Sequence, residues 1–179
     1  MVLPVPIIRQ FVVDEVETAS YLNSLSAALS FLTNPPIATV YQTAAQSLTS
    51  GSPAPVSYDS TEVDTYGGHS NTVSPARYTA VVPGYYLLGG GAPMAGSTGG
   101  TYRKLQAYYD GTIVDYASSS VPPTSSTATA VTPTLSPTLM YLNAGDFVGL
   151  YAGCDATGVT TTPGGGSSQA YMTVIWAHA

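Results

Sequence analysis

The chain is written as short apolar runs, each broken by residues that reverse the backbone. Ala76 to Tyr86 is interrupted at Pro83-Gly84, Leu105 to Val114 pivots on Asp110-Gly111, and Leu142 to Val148 turns through Ala144-Gly145-Asp146. Runs this short, separated by turns this tight, bury apolar surface most readily as antiparallel strands. The pattern predicts an all-β fold: an antiparallel sandwich over residues 37–179, preceded by an extended N-terminal arm and one short helix in 1–36. Such an architecture leaves little room for a catalytic centre and turns the question toward partners.

Composition sharpens this. Charged residues make up 8% of the chain, against about 25% in ordinary globular domains, so Ser, Thr, Gly, Tyr and amide groups must cover the surface. A hydrophobic fraction of 44% is too high for a disordered segment. Surfaces so poor in charge pack well against copies of themselves or against a partner. The net charge of −6, with Arg9, Arg77, Arg103 and Lys104 as the only cations, argues against nucleic acid, which needs clustered Lys and Arg on its phosphates. No apolar run is long enough for a membrane helix. The opening Met-Val-Leu-Pro lacks a basic start, so no signal peptide is expected.

Residues 1–12 read as extended, since Pro4 and Pro6 exclude a regular helix. Ile7, Ile8, Phe11, Val12 and Val13 form an apolar stripe that either lies on its own domain or anchors on another protein. The helix is expected over 14–32, with Asp14 as its N-cap and Asn34-Pro35-Pro36 as its stop. Beyond it, strands are expected at Ile37 to Tyr41, within Val56 to Thr65, and as a pair about Pro83-Gly84 in Tyr78 to Gly89. Further strands are expected as a hairpin about Asp110-Gly111, as a pair in Leu139 to Leu142 and Phe147 to Tyr151, and at Tyr171 to Trp176. The stretches 89–100, 118–137 and 157–168 are expected to be loops, 118–137 carrying at most a short edge strand.

Candidate chemistry is thin. His69 sits in a Gly/Ser/Asn turn and His178 near the last residue, neither beside a nucleophile pattern, and both are expected at the surface. One Cys and two His cannot fill a zinc site, and Cys154, next to Asp155, reads as a small half-buried residue. Asp59, Glu62 and Asp64 are the densest acidic set and read as strand-face or turn residues. Catalytic, metal and cofactor residues are therefore expected to be none, and the chain is expected not to be an enzyme. The fourteen tyrosines, each an apolar ring with a polar tip, suit cores and subunit interfaces.

At these residues the chain resembles the globular head of complement and the tumour-necrosis-factor superfamily, a jelly roll that assembles as a trimer. Tyr78-Thr79-Ala80-Val81 followed by Gly84 and Tyr86 matches the phrase that opens the family's central strands. Asp110-Gly111 matches its hairpin, Leu142, Gly145, Asp146 and Val148 match its Leu-x-x-Gly-Asp-x-Val, and Tyr171 and Ile175 match its closing strand. Val81 stands where the family has proline and Thr173 where it has glycine. Arg9 to Asn23, with its aromatic residue, acidic pair and helix start, resembles the opening of small structural proteins of tailed bacteriophages.

Together these resemblances imply a virion component: a homotrimeric capsid decoration protein on the outer surface of the capsid, made in the host cytoplasm. Ile7, Ile8, Phe11, Val12 and Val13 would anchor it on the major capsid protein, with no nucleic acid or membrane involved. The alternative is a receptor-binding tip or fibre recognising a host-surface glycan or protein through the three loops.

Overall fold

A computed structural model describes residues 18–161 and 169–179. The helix α1 runs Ala19–Thr33 and starts behind Thr18, whose extended φ of −106° and ψ of 157° mark the cap. This start falls later than expected, and Asp14 lies outside the described residues. Asn34 ends the helix with its N–H on the Ser30 carbonyl, and the two prolines after it cannot continue the ladder.

Among the described residues thirteen strands follow: β1 Ile37–Tyr41, β2 Gln46–Ser47, β3 Ala54–Pro55, β4 Ser60–Asp64, β5 Tyr78–Thr79, β6 Gly84–Gly91 and β7 Met94–Ala95, then β8 Arg103–Tyr109, β9 Thr112–Val121, β10 Thr134–Leu142, β11 Phe147–Cys154, β12 Thr160–Thr161 and β13 Tyr171–His178. One five-stranded sheet has the order β10-β6-β13-β1-β4. A second has the order β3-β11-β8-β9, with β5 also on β11. The short β2, β12 and β7 close one end as a small third sheet. Every ladder between these strands is antiparallel. The fold class is thus the all-β sandwich with one N-terminal helix that the sequence predicts.

The core lies between the two large sheets. Val40, Tyr86, Leu88, Met172 and Val174 from the first meet Leu105, Ala107, Val148 and Leu150 from the second, all essentially without solvent contact. Cys154 is fully buried among them rather than half-buried, because it falls on the inward side of β11. The Tyr86 hydroxyl donates to the Val82 carbonyl at 2.6 Å, and burial pushes its pKa up to about 12. His69, expected at the surface, is half-buried with its ring nitrogens 3.0 Å from the Arg77 carbonyl and 3.2 Å from that of Tyr58.

Three further expectations, about strand pairing and loop length, need correction. The strands about Pro83-Gly84 are not a hairpin: β5 pairs with β11, whereas β6 pairs with β10 and β13. Likewise β10 and β11, expected as a pair, lie in opposite sheets, and the turn Asn143 to Asp146 carries the chain across the sandwich. A strand pair read from sequence assumes that neighbours in the chain are neighbours in the sheet, and a jelly roll breaks that assumption. The loops 89–100 and 118–137 are also shorter than expected. Strand β6 continues through Gly91, β9 reaches Val121, and β10 begins at Thr134 with Pro137 inside it. Proline is tolerated there because β10 is an edge strand whose register shifts between Leu135 and Thr138.

Candidate assembly surface

The outward face of the five-stranded sheet carries the most unusual surface. Along β13, Met172 and Val174 point into the core, so Tyr171, Thr173 and Ile175 point out. The register lays rows across the strands. Ile37 pairs with Ile175, Ile175 with Leu87, and Leu87 with Leu139. Thr39 pairs with Thr173, their hydroxyls 3.4 Å apart, and Tyr41 pairs with Tyr171. At the far end Tyr85 pairs with Tyr141, the rings meeting edge to face at 5.2 Å, and the His178 ring stacks on Tyr85 at 4.6 Å.

Strands β1, β6, β10 and β13 contain no Asp, Glu, Lys or Arg. Tyr85, Leu139, Tyr141, Tyr171 and Ile175 are nonetheless 37–48% exposed. Contiguous apolar patches of this kind are uncommon on monomers and mark contact surfaces. Two concavities open on this side. One, of about 290 Å³, lies between Tyr41, Tyr171, Pro93 and Glu62. The other, of about 300 Å³, fills the cleft between the edge strands β9 and β10, lined by Tyr85, Tyr109, Val114, Tyr116, Leu139 and Tyr141.

The opposite face has a different character. Tyr108 and Tyr151 stack with centroids 3.6 Å apart and planes 16° from parallel. Arg77 lies 4.6 Å over the Phe147 ring. These residues, with Pro55 and Pro75, wall a trough of about 290 Å³ over Gly149. Ser74 at its rim holds a left-handed φ of 53°, one of two such non-glycine residues among those described; side chains rarely adopt that region without a local reason.

The acidic set serves turns. Asp59 accepts from the Thr43 N–H and hydroxyl and from the Ala44 N–H. Its slight burial opposes ionisation, but these bonds prevail and leave its pKa below the usual range. Asp64 accepts from the N–H groups of Tyr66, Gly68 and His69. Glu62 lines the concavity at the border of the apolar face. Among the described residues no cluster of His, Cys, Asp or Glu could hold a metal ion, and no helix is long and apolar enough to cross a membrane.

The anchor residues Ile7, Ile8, Phe11, Val12 and Val13 lie outside the described residues. Sequence reasoning missed the outward sheet face altogether. Its signal was present: Tyr171 to Trp176 and Tyr85 to Leu88 are apolar at every position or nearly so, the pattern of strands covered on both sides.

No protein-family model and no curated protein matches the sequence. Solved structures do match the fold. The globular domain of zebrafish complement 1qA superposes with a TM-score of 0.56 at 15% identity, over 80% of this chain and 98% of that one. Murine APRIL at pH 5.0 gives 0.57 at 9% identity over 79% and 98%, and murine APRIL at pH 8.5 gives 0.54 at 10% identity over the same shares. The domain is therefore a jelly roll of the complement-head and tumour-necrosis-factor type; at these identities the likeness speaks for the fold alone.

Proposed function

We propose that this chain is a non-enzymatic structural protein that closes into a homotrimer and decorates a bacteriophage capsid. The observation that carries the assembly is the uncharged, half-exposed face of Ile37, Leu87, Leu139, Tyr171 and Ile175. A three-fold ring is heterologous, so one surface of each copy meets a different surface of the next. The β1–β13 side of the sheet face, around Ile37, Tyr171 and Ile175, and the aromatic cleft around Tyr109, Val114 and Tyr116 are two such surfaces, and none of these residues is charged at neutral pH. Burying them removes Tyr and Leu side chains from water at about 25 cal/mol per Å².

The capsid part rests on the N-terminal sequence. An arm that orders on binding loses conformational entropy and holds weakly as a single copy. Three arms on one trimer raise the effective concentration and fix the complex firmly. Ile7, Ile8, Phe11, Val12 and Val13 are the anchors in this reading.

The test has two arms. Size-exclusion chromatography with light scattering should give a trimer for the full chain and a monomer for Leu139→Asp or Ile175→Asp. A monomeric wild-type chain at micromolar concentration refutes the assembly. Deleting residues 1–12 should leave a soluble trimer that no longer sediments with capsids; continued co-sedimentation refutes the anchor.

One observation favours a second reading, recognition of a host-surface glycan. The stacked Tyr108 and Tyr151 rings and the Arg77 guanidinium form a platform for a sugar ring, on a sheet face rather than in the loops. Glycan-array binding that is lost in Tyr151→Ala would establish it, and a blank array would dismiss it.

A further inference from the structure

Helix α1 has two apolar faces, and the sandwich uses only one. Ala28 and Phe31 are buried, with the Phe31 ring edge-on to Trp176 at 4.8 Å and to Tyr66 at 6.1 Å. Leu22, Leu25, Leu29 and Leu32 recur at intervals of three, four and three, and about 100° per residue sets this stripe roughly a quarter-turn from the docked face. Leu22, Leu29 and Leu32 are 51%, 52% and 57% exposed. Between Ala19 and Thr33 there is no charged residue. Such spacing is the a/d seam of a coiled coil.

The stripe is joined to the proposed assembly face by a short, fixed link. The link Asn34-Pro35-Pro36 is not slack: the Trp176 N–H donates to the Pro36 carbonyl at 2.9 Å, and the Thr65 hydroxyl donates to that of Pro35 at 2.8 Å. Ile37 follows at once and stands in the row with Ile175 and Leu87. A rigid junction therefore joins the leucine seam to the first residue of the sheet face.

We propose that the leucine stripe is the seam of a parallel neck, in which the α1 helices of the copies of this chain pack on one another. The inference rests on the trimer reading above and deepens it. A helix of 15 residues is marginal alone, because nucleation is costly at that length. Sheet faces that bring the helices together remove most of that cost. With no charge on any helix, identical copies do not repel. The neck also refines the division of labour: the sheet faces bring the copies together, α1 locks them, and the arm before Thr18 is left to grip a larger structure.

The test uses the full chain carrying Leu29→Cys, with Asn23→Cys, on another side of the helix, as control. The native Cys154 is buried and does not interfere. Under mild oxidation Leu29→Cys should form covalent dimers at least tenfold faster than Asn23→Cys, in a particle that light scattering reads as a trimer. A trimer in which the two cross-link equally slowly overturns the neck and leaves the sheet-face assembly standing. A monomer that does not cross-link overturns both. Leu22→Ser/Leu29→Ser supplies a second measure: assembly should weaken at least tenfold while Trp176 fluorescence stays native, and unchanged assembly overturns the neck. Protection of Leu29→Cys from a thiol reagent only when capsids are added would assign the stripe to a foreign partner and equally overturn it.

Discussion

The Arg103 guanidinium is 1% exposed and sits 4.0 Å from Asp155, yet its close partners are carbonyls. It donates to Tyr102 at 2.8 Å, Ser97 at 2.7 Å and Gly99 at 3.0 Å. Asp155 meanwhile accepts from the Thr101 hydroxyl at 2.6 Å and from the N–H groups of Thr101 and Tyr102. Cation and carboxylate together pin the glycine-rich segment 96–101 to the end of β8. Replacing Arg103 by Met leaves three part-buried carbonyls without their donor, where a fully dry one would cost about 1–3 kcal/mol. Since the segment can relax toward water, Arg103→Met is expected to cost about 3 kcal/mol in urea unfolding. Lys should rescue little, because its point charge cannot span the fork.

Acid should report on Asp155. The Thr101 hydroxyl bond is the largest cause that lowers its pKa to about 2 in the folded chain, against about 3.9 unfolded. The unfolded state then binds more protons below pH 4, so this contribution is fully present above that value and is lost as pH falls toward 2. Asp155→Asn should therefore be less stable than wild type at pH 7, and the gap in urea midpoint should close as pH approaches 2. A gap that stays constant with pH would show that the carboxylate contributes nothing through its charge.

The Tyr109 hydroxyl donates to Asp146 Oδ2 at 2.6 Å across the turn that carries the chain between sheets. The same bond, the largest cause on each side, raises the tyrosine to about 12 and lowers the carboxylate below its usual range. On the alkaline side the contribution is intact below about pH 10, the unfolded tyrosine value, and is lost as pH rises through about 12. On the acid side it is intact above about pH 4 and is lost as pH falls through the lowered Asp146 value. Tyr109→Phe should flatten both limbs of the melting temperature plotted against pH.

Phe31 joins the helix to the sandwich. Phe31→Ala removes a ring packed on Trp176 and Tyr66, and phenylalanine truncations in cores cost about 3–5 kcal/mol. At the rim of the fold the expected loss is about 2 kcal/mol. Trp176 is the sole tryptophan, so its emission should shift to the red as the helix undocks. Unchanged emission would mean that the helix packs elsewhere.

Local chemistry was the legible part. The Asp110-Gly111 hairpin could be read because its two central residues must both take positive φ, and they do, at 46° and 80°. The stop at Pro35-Pro36 was equally plain. Gly89-Gly90-Gly91, by contrast, reads as loop from composition, yet it lies inside β6: all three pair with β13, and Gly90 and Gly91 also pair with β10. A Cβ on Gly90 would strike the Leu150 side chain and the Tyr171 carbonyl. Glycine is there for close approach, a reason that exists only once the sheets are stacked.

By itself the sequence determined the all-β class, the N-terminal helix, the tightest turn and the poverty of charge, because each depends on residues a few positions apart. Only the tertiary structure decided which strands share a sheet, that Arg103 is buried beside Asp155, and that Tyr171, Thr173 and Ile175 face outward. Those depend on contacts between residues distant in the chain. An apolar strand reads the same whether its second face meets its own core or, as proposed here, a copy of itself.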